Sequence, residues 1–335
     1  MSICPENQAY QVKLSILETE NAIELIKTEF CNSMKKSLGL MRASSPMFFE
    51  DGNGLQDMLG GDKNAVKFKV NSGENCQIIN SLTKWKRFAL TKYGLPEKTG
   101  IICDMNALRI SENLSHKHSY YVDQWDWELH ISKADRTIDF LKSTVRKIFE
   151  CFKELEEKLI VKYPSLSKKL PQDIFFITTQ ELEDQFPNLT PKEREHAISR
   201  KHLAVFLIGI GHKLRRSNEP HDDRTPDCDD WDLNGDILFH NPILDESLEM
   251  SSMGIRVCED SIVKQLELKN SVDSSNLEYH ERVIAKELCY SIGGGIGQSR
   301  MCMYLLDKYH IGEVQVSVWM KKIIEDLMKK GVALL

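Results

Sequence analysis

SIGGGIGQSRMCMYLL, residues 291–306, sets Gly293, Gly295 and Gly297 at alternate positions and then places one arginine, Arg300, at the head of an apolar helical run. Glycines at this density let a backbone lie close to a ligand or to another strand, because no Cβ stands in the way. The stretch matches neither common phosphate loop. The chain has no G-x-x-x-x-G-K-[ST], and Gln298 stands where the dinucleotide fingerprint G-x-G-x-x-G needs its third glycine. Two readings stay open on these residues alone: a bed for a ligand, or a tight turn from strand to helix.

The surrounding chain narrows the class. Its 335 residues are 41% apolar and 28% charged, the composition of a soluble globular protein, read here as one catalytic domain over 1–335 with residues 1–10 as an extension. A formal net charge of -6 gives no global positive field for nucleic acid, so no nucleic-acid partner is expected. Nine cysteines, scattered and never spaced C-x-x-C, suggest neither a disulfide framework nor a zinc site, and read as reduced thiols of a cytoplasmic protein. The amino terminus lacks an apolar signal core, and the longest apolar run, 203–211, is too short to span a bilayer, so no membrane partner is expected.

Periodicity predicts a long opening helix over 9–38 ending at Gly39, a helix in SLTKWKRFALTKY, and a longest helix over 134–163 with an i, i+3/i+4 apolar stripe. Strands are expected at 65–70, 76–80, 99–104, 119–127, 173–178, 203–210, 235–240 and 247–257, with further helices at 190–200, 260–269, 277–288, 298–308 and 319–331. Strands adjoin one another without a helix after each. The fold class is therefore α+β, a mostly antiparallel sheet flanked by helices.

Three further segments combine charge with rigid or small residues. SLTKWKR offers Ser81, Lys84, Lys86 and Arg87; LEMSSMGIR offers Glu249, Ser251, Ser252 and Arg256. In YYVDQWDWE a period of two sends Gln124 and Asp126 to one face and Trp125 and Trp127 to the other. A glutamine beside a carboxylate can bind an amino group and a carbonyl with defined directions while the aromatic face holds the strand still. The acidic run DDRTPDCDDWDLNGD, 222–236, imitates half a calcium loop. It fails at the twelfth position, Asn241, and reads as a solvated acidic loop, with nucleotide-borne magnesium as the alternative. HKH at 116–118 reads as a solvated turn without a role.

Taken together these segments resemble a known family. GxGxGxxR before a helix is similar to motif 3 of class II aminoacyl-tRNA synthetases. GLMRASSPMFF after the first helix resembles their motif 1, and MNALRISEN with the YYVDQWDWE strand resembles motif 2. With LTKWKR, DDWDLNGDILFHNP, LEMSSMGIRV and IGGGIGQSR added, the likeness is to the ammonia-dependent asparagine synthetases, tRNA-free relatives of those enzymes, over nearly the whole chain. Glu112 stands one residue later than the glutamate of the synthetase pattern R-x-E.

The resemblance implies a class II synthetase-like core and ATP-dependent amidation of aspartate by ammonia through β-aspartyl-AMP, with ATP as substrate and Mg2+ as cofactor. It implies that Arg109 binds the α-phosphate and the reacting carboxylate, and that Arg300 grips the nucleotide and its outer phosphates above Gly295 and Gly297. Lys86 would take the substrate carboxylate, with Ser81, Gln124, Asp126, Ser251, Ser252 and Arg256 around the aspartate. Asp229, Asp236 and Glu249 would surround the nucleotide, with Asp236 and Glu249 on magnesium. Asp57 is the carboxylate the resemblance supplies for ammonium, although its residues alone read as a turn. Arg109, Gln124, Arg300 and Asp57 form the catalytic set. Motif 1 implies a homodimer. Residue 2 is Ser2, so no N-terminal cysteine nucleophile is available to release ammonia from glutamine.

Overall fold

The computed structural model describes residues 10–56, 65–271 and 277–335. Helix α1, Ile16–Leu38, begins seven residues later than the periodicity predicts, because Ser15 and Glu18 close a reciprocal capping box that satisfies free amide donors at its first turn. It buries Ile23, Ile26, Phe30 and Met34 and stops at Gly39, whose φ of 67° is the left-handed C-cap conformation. Strand β1 (Leu40–Arg42) follows directly. Three short strands, β2 (Phe48–Glu50), β3 (Lys67–Lys69) and β4 (Asn75–Ile78), form a separate small sheet in the order β2-β4-β3. The strands expected at 65–70 and 76–80 thus belong to this satellite and not to the main sheet.

Next come α2 (Thr83–Tyr93), β5 (Gly100–Leu108), β6 (Tyr121–His130) and the longest helix, α3 (Ile138–Lys162). After them lie β7 (Phe175–Thr178), α4 (Thr179–Gln185), α5 (Pro191–His202) and β8 (Ala204–Ile208). The long hairpin β9 (Asp229–Asn241) and β10 (Glu246–Arg256) leads into α6 (Glu259–Leu268) and α7 (Glu278–Ile284). The chain ends with β11 (Ser291–Gly297), α8 (Gln298–Leu305) and α9 (Lys321–Lys329).

The main sheet has eight strands in the order β1-β5-β6-β11-β10-β9-β8-β7. Its two outer pairs are parallel and the five between them antiparallel, as the adjoining strands predict. One face is covered by α1, α3 and α8. There Trp125, Trp127, Ile292, Ile296, Met253 and Phe239 meet Phe30, Phe152 and Met301 in a continuous apolar layer, each large side chain contributing about 1.5–3 kcal/mol. The opposite face is covered only in part. Helices α4 and α5 close over β8 and β9 through Leu182, Ile198, Leu207 and Leu238. At the other end, Leu82 and Phe49 close over β5 through Cys103 and Met105. In the middle α2 packs over part of β6 and β11, and the remainder of that face, with β10, is left for the site.

Candidate active site

The glycine stretch is a central strand and not a turn. In β11, Gly297 lies opposite Gln124, Gly295 opposite Asp126 and Gly293 opposite Glu128. None of these glycines has a left-handed φ. Their need is clearance: a Cβ on Gly293 would stand 2.0 Å from Glu128 Oε2, and one on Gly295 would stand 2.4 Å from Gln124 Oε1. The long polar side chains of β6 lean across β11, and the missing side chains are the trough they occupy.

Beneath the inner end of this trough the charges are matched. Glu128 is fully buried; it accepts from Arg256 Nε at 2.9 Å and Nη2 at 2.7 Å, and from the Ser291 hydroxyl at 2.7 Å. Burial would raise its carboxyl, yet Arg256, Lys86 and Ser291 hold it below the usual carboxylate range. Arg256 Nη1 also meets Asp229 at 2.5 Å. The ammonium of Lys86, fully buried, lies 2.6 Å from Asp126 Oδ1 and 3.0 Å from the Gly294 carbonyl.

Above the trough is a cavity of about 470 Å³. Its wall holds Ser81, Arg109, Gln124, Asp126, Asp229, Glu249, Ser251, Ser252, Arg256, Gly295, Gly297 and Arg300, so most of the residues chosen from the sequence meet at one place. Two do not reach it. Lys86 stands beside the cavity with its charge taken by Asp126, because period-two alternation in β6 turns Asp126 to the face on which α2 packs its inward side. Asp236 is buried behind Arg224, whose Nη2 lies 2.5 Å from its Oδ2. Asp57 lies outside the described residues.

The outer wall is built differently. Arg300 donates to the Glu249 carbonyl at 3.0 Å and stands 3.5 Å from its carboxylate, whose side chain is 36% exposed. The first turn of α8 that carries Arg300 is fastened to the sheet, Gln298 donating to Asp104 at 2.9 Å and the Ser299 amide to Asp123 at 3.0 Å. In β10 a bulge sets Glu249 opposite Leu238 but Ser251 opposite Ile237. The extra residue shifts the alternation, so Glu249 and Ser252, three apart in sequence, both face the cavity side.

A family model described as aspartate-ammonia ligase matches residues 17–331. The chain belongs to the aspartate-ammonia ligase family. It is 52% identical to the aspartate–ammonia ligase of Fusobacterium nucleatum over 327 residues, 98% of this chain and 100% of that one. It is 50% identical to that of Clostridium tetani over 328 residues, 97% of this chain and 96% of the relative. Members of this family are ligases that form a carbon–nitrogen bond, and this chain is such an enzyme. The fold is also that of the asparaginyl-tRNA synthetases of Pyrococcus horikoshii (TM-score 0.65, 13% identity) and Entamoeba histolytica (TM-score 0.63, 11% identity), both solved with asparaginyl-adenylate. These cover 90% and 91% of this chain, which in turn covers 68% of each.

In this member of the ligase family two features of the site differ from their sequence reading. The acidic run is not a solvated loop: from Asp229 it is strand β9, and its carboxylates are paired. Asp227 meets Lys84 at 2.6 Å, Asp230 meets Arg136 at 2.6 Å, and Asp229 and Asp236 meet Arg256 and Arg224. Basic groups far off in sequence supply the compensation that such charge density needs. HKH is a turn, bridged from Ser115 to His118, but not a solvated one. Lys117 pairs with Glu246 at 2.7 Å, His116 packs against Tyr309 and His310, and His118 lines the cavity with Nδ1 2.7 Å from Ser115 Oγ. Burial, with Arg300 and Lys117 nearby, pushes the His118 imidazole down to about 4, so it is neutral at physiological pH. Arg224 and His118 are among the lining residues that sequence reasoning missed. The only signal for them was a basic residue inside an acidic run and a histidine between the motif 2 arginine and its strand.

Residues fit for a metal are few. Among the described residues no cluster of three histidine, cysteine or carboxylate side chains is arranged to hold an ion. Asp236 Oδ1, however, is buried without a hydrogen-bond partner, on the strand beside the one that carries Glu249. One or two carboxylates completed by substrate phosphates and water is the usual protein contribution to a magnesium site, and this pair suits it.

Proposed function

We propose that the chain makes asparagine from aspartate, ammonia and ATP in two steps, through β-aspartyl-AMP, with release of pyrophosphate and then AMP. A carboxylate is a poor acyl donor, because its leaving group would be oxide; transfer to AMP supplies a good one. In the first step the aspartate β-carboxylate oxygen forms a bond to the α-phosphorus and the bond to pyrophosphate breaks. In the second, ammonia bonds to the acyl carbon, sheds a proton and expels AMP.

The observation that carries this reading is the sequence of charges across one cavity: carboxylate and amide at its floor, guanidinium groups at its wall. Gln124 and Asp126 present an amide and a carboxylate for the polar groups of an amino acid, and Ser81 and Ser252 stand beside them. Arg109 and Arg300 offer planar forks for phosphate and carboxylate oxygens. Magnesium held by Glu249 and Asp236 would neutralise charge on the phosphates. Asp57 is proposed as the carboxylate that receives ammonium. A cytoplasmic homodimer using α1 and β1 completes the reading; no described helix is long and apolar enough to cross a membrane.

Mass-spectrometric analysis of products tests it. Pure protein with ATP, magnesium, aspartate and ammonium is expected to yield asparagine and AMP together, with little of either when glutamine replaces ammonium. ADP in place of AMP would rule out the adenylate route.

A further inference from the structure

The steps above leave a half-buried arginine at the cavity without a task. Arg224 lines the cavity wall just before β9. Its Nη2 lies 2.5 Å from Asp236 Oδ2, and its Nη1 donates to Asp222 Oδ2 at 3.1 Å and to the Asp223 carbonyl at 3.3 Å. The guanidinium is therefore clamped on one side by its own loop while it grips Asp236 on the other. The loop is itself pinned. His221 Nε2 lies 3.0 Å from Glu195 on α5, and the Thr225 carbonyl accepts from Trp231 Nε1 at 3.3 Å.

What this grip leaves is informative. Asp236 Oδ2 is occupied, while Oδ1 is buried and has no hydrogen-bond partner. Asp236 pairs with Ser252 and Glu249 with Leu238, two residues further along β9, so both carboxylates belong to the same face of the hairpin. A carboxylate with one oxygen fixed by an outer donor and the other left without one is how outer hydrogen bonds orient a metal ligand.

We propose that Arg224 is the positioning residue for Asp236, fixing Oδ2 so that Oδ1 is aimed at the divalent ion that enters with the nucleotide. The assignment rests on the nucleotide-using reading above and adds to it a residue that acts through another and not on the reacting atoms. Asp222 is the brace that holds Arg224 in turn.

Binding measurements test it without turnover. Calorimetric titration with the manganese complex of α,β-methylene-ATP and, separately, with metal-free AMP is made on wild type, Arg224→Met, Arg224→Lys and Asp222→Asn. Arg224→Met is expected to weaken the manganese nucleotide by about 10–100-fold, the usual effect of losing an outer partner, while AMP binding is unchanged. Arg224→Lys recovers part of the loss, and Asp222→Asn gives a smaller loss in the same direction. If Arg224→Met does not fold, these two carry the comparison. Equal weakening of both ligands, no change in either, or tighter manganese binding would each overturn the assignment. Wild type that binds neither ligand would overturn the nucleotide reading itself, a result distinct from a wild type that binds both while its variants match it.

Discussion

The floor and the outer wall of the cavity use the same residue types to opposite ends. At the floor, Glu128 and Arg256 are buried and engaged with each other, and Lys86 is held by Asp126 Oδ1, while Asp126 Oδ2 has no hydrogen-bond partner. At the wall, Glu249 is 36% exposed, Arg300 reaches it at 3.5 Å, and Asp236 keeps an oxygen without a partner. Charges removed from water hold a fold in place only when they are fully matched. Charges left partly unmatched at a cavity are where an incoming charged ligand gains most. The matched Glu128–Arg256 pair therefore reads as scaffold, and the wall, together with Asp126 and its open Oδ2, as machinery.

The same substitution made in both regions should separate them. Glu128→Gln strips a buried carboxylate from Arg256 and Lys86 together, and should cost about 3–5 kcal/mol of stability by denaturant unfolding, the range for breaking a buried pair. Glu249→Gln should move stability by about 0.5 kcal/mol or less, as a half-exposed group does, and lower asparagine formation by on the order of 10²-fold. Equal losses of stability in the two variants would erase the distinction between floor and wall.

A finer division runs along β11. A Cβ at Gly293 would meet Glu128 Oε2, which Arg256 holds in place, whereas a Cβ at Gly295 would meet first the amide end of Gln124 and, at 3.2 Å, Asp126 Oδ2. The first neighbour has no room to give and the second is the tip of a flexible side chain. Gly293→Ala should cost about 1–3 kcal/mol, as overpacking does. Gly295→Ala should unfold near wild type yet raise KM for aspartate, since it pushes Gln124 into the space the substrate needs. Thermal unfolding beside steady-state kinetics reads both.

Much of this arrangement is written in local pattern. Alternation in 121–128 puts tryptophans on one face and Gln124 and Asp126 on the other, and that is where they are. The stripe of α3 and the stop at Gly39 are equally local. What local pattern lacks is the identity of distant partners. Lys86 looks like a substrate ligand until Asp126 is seen to hold its ammonium, and seven aspartates within 222–236 look solvated until Lys84, Arg136, Arg224 and Arg256 are brought to them. The bulge that turns Glu249 toward the cavity leaves no mark in the sequence, because any residue can supply the extra position. The strands at 65–70 and 76–80 are legible only as strands for a related reason, since alternation names a strand but not its sheet.

The smallest effect belongs to His118, and it probes the wall from the side of protonation. Its imidazole titrates near 4 in the folded chain because of burial first and of Arg300 and Lys117 second, against about 6.5 when unfolded. Because the folded state binds fewer protons, the contribution of His118 is fully present above pH 6.5 and is lost as pH falls toward 4. His118→Asn should therefore flatten the loss of stability over that window by about 1 kcal/mol at pH 5, discounted for partial exposure. His116 and His310, whose imidazoles are also lowered, remain in both proteins and cancel in the difference. Phosphates bound at the wall would oppose Arg300 and Lys117, raise the imidazole and shrink that difference. Acid unfolding of the two proteins with and without ATP measures it, and a difference that ATP leaves untouched would place His118 with the scaffold of the floor and not with the wall.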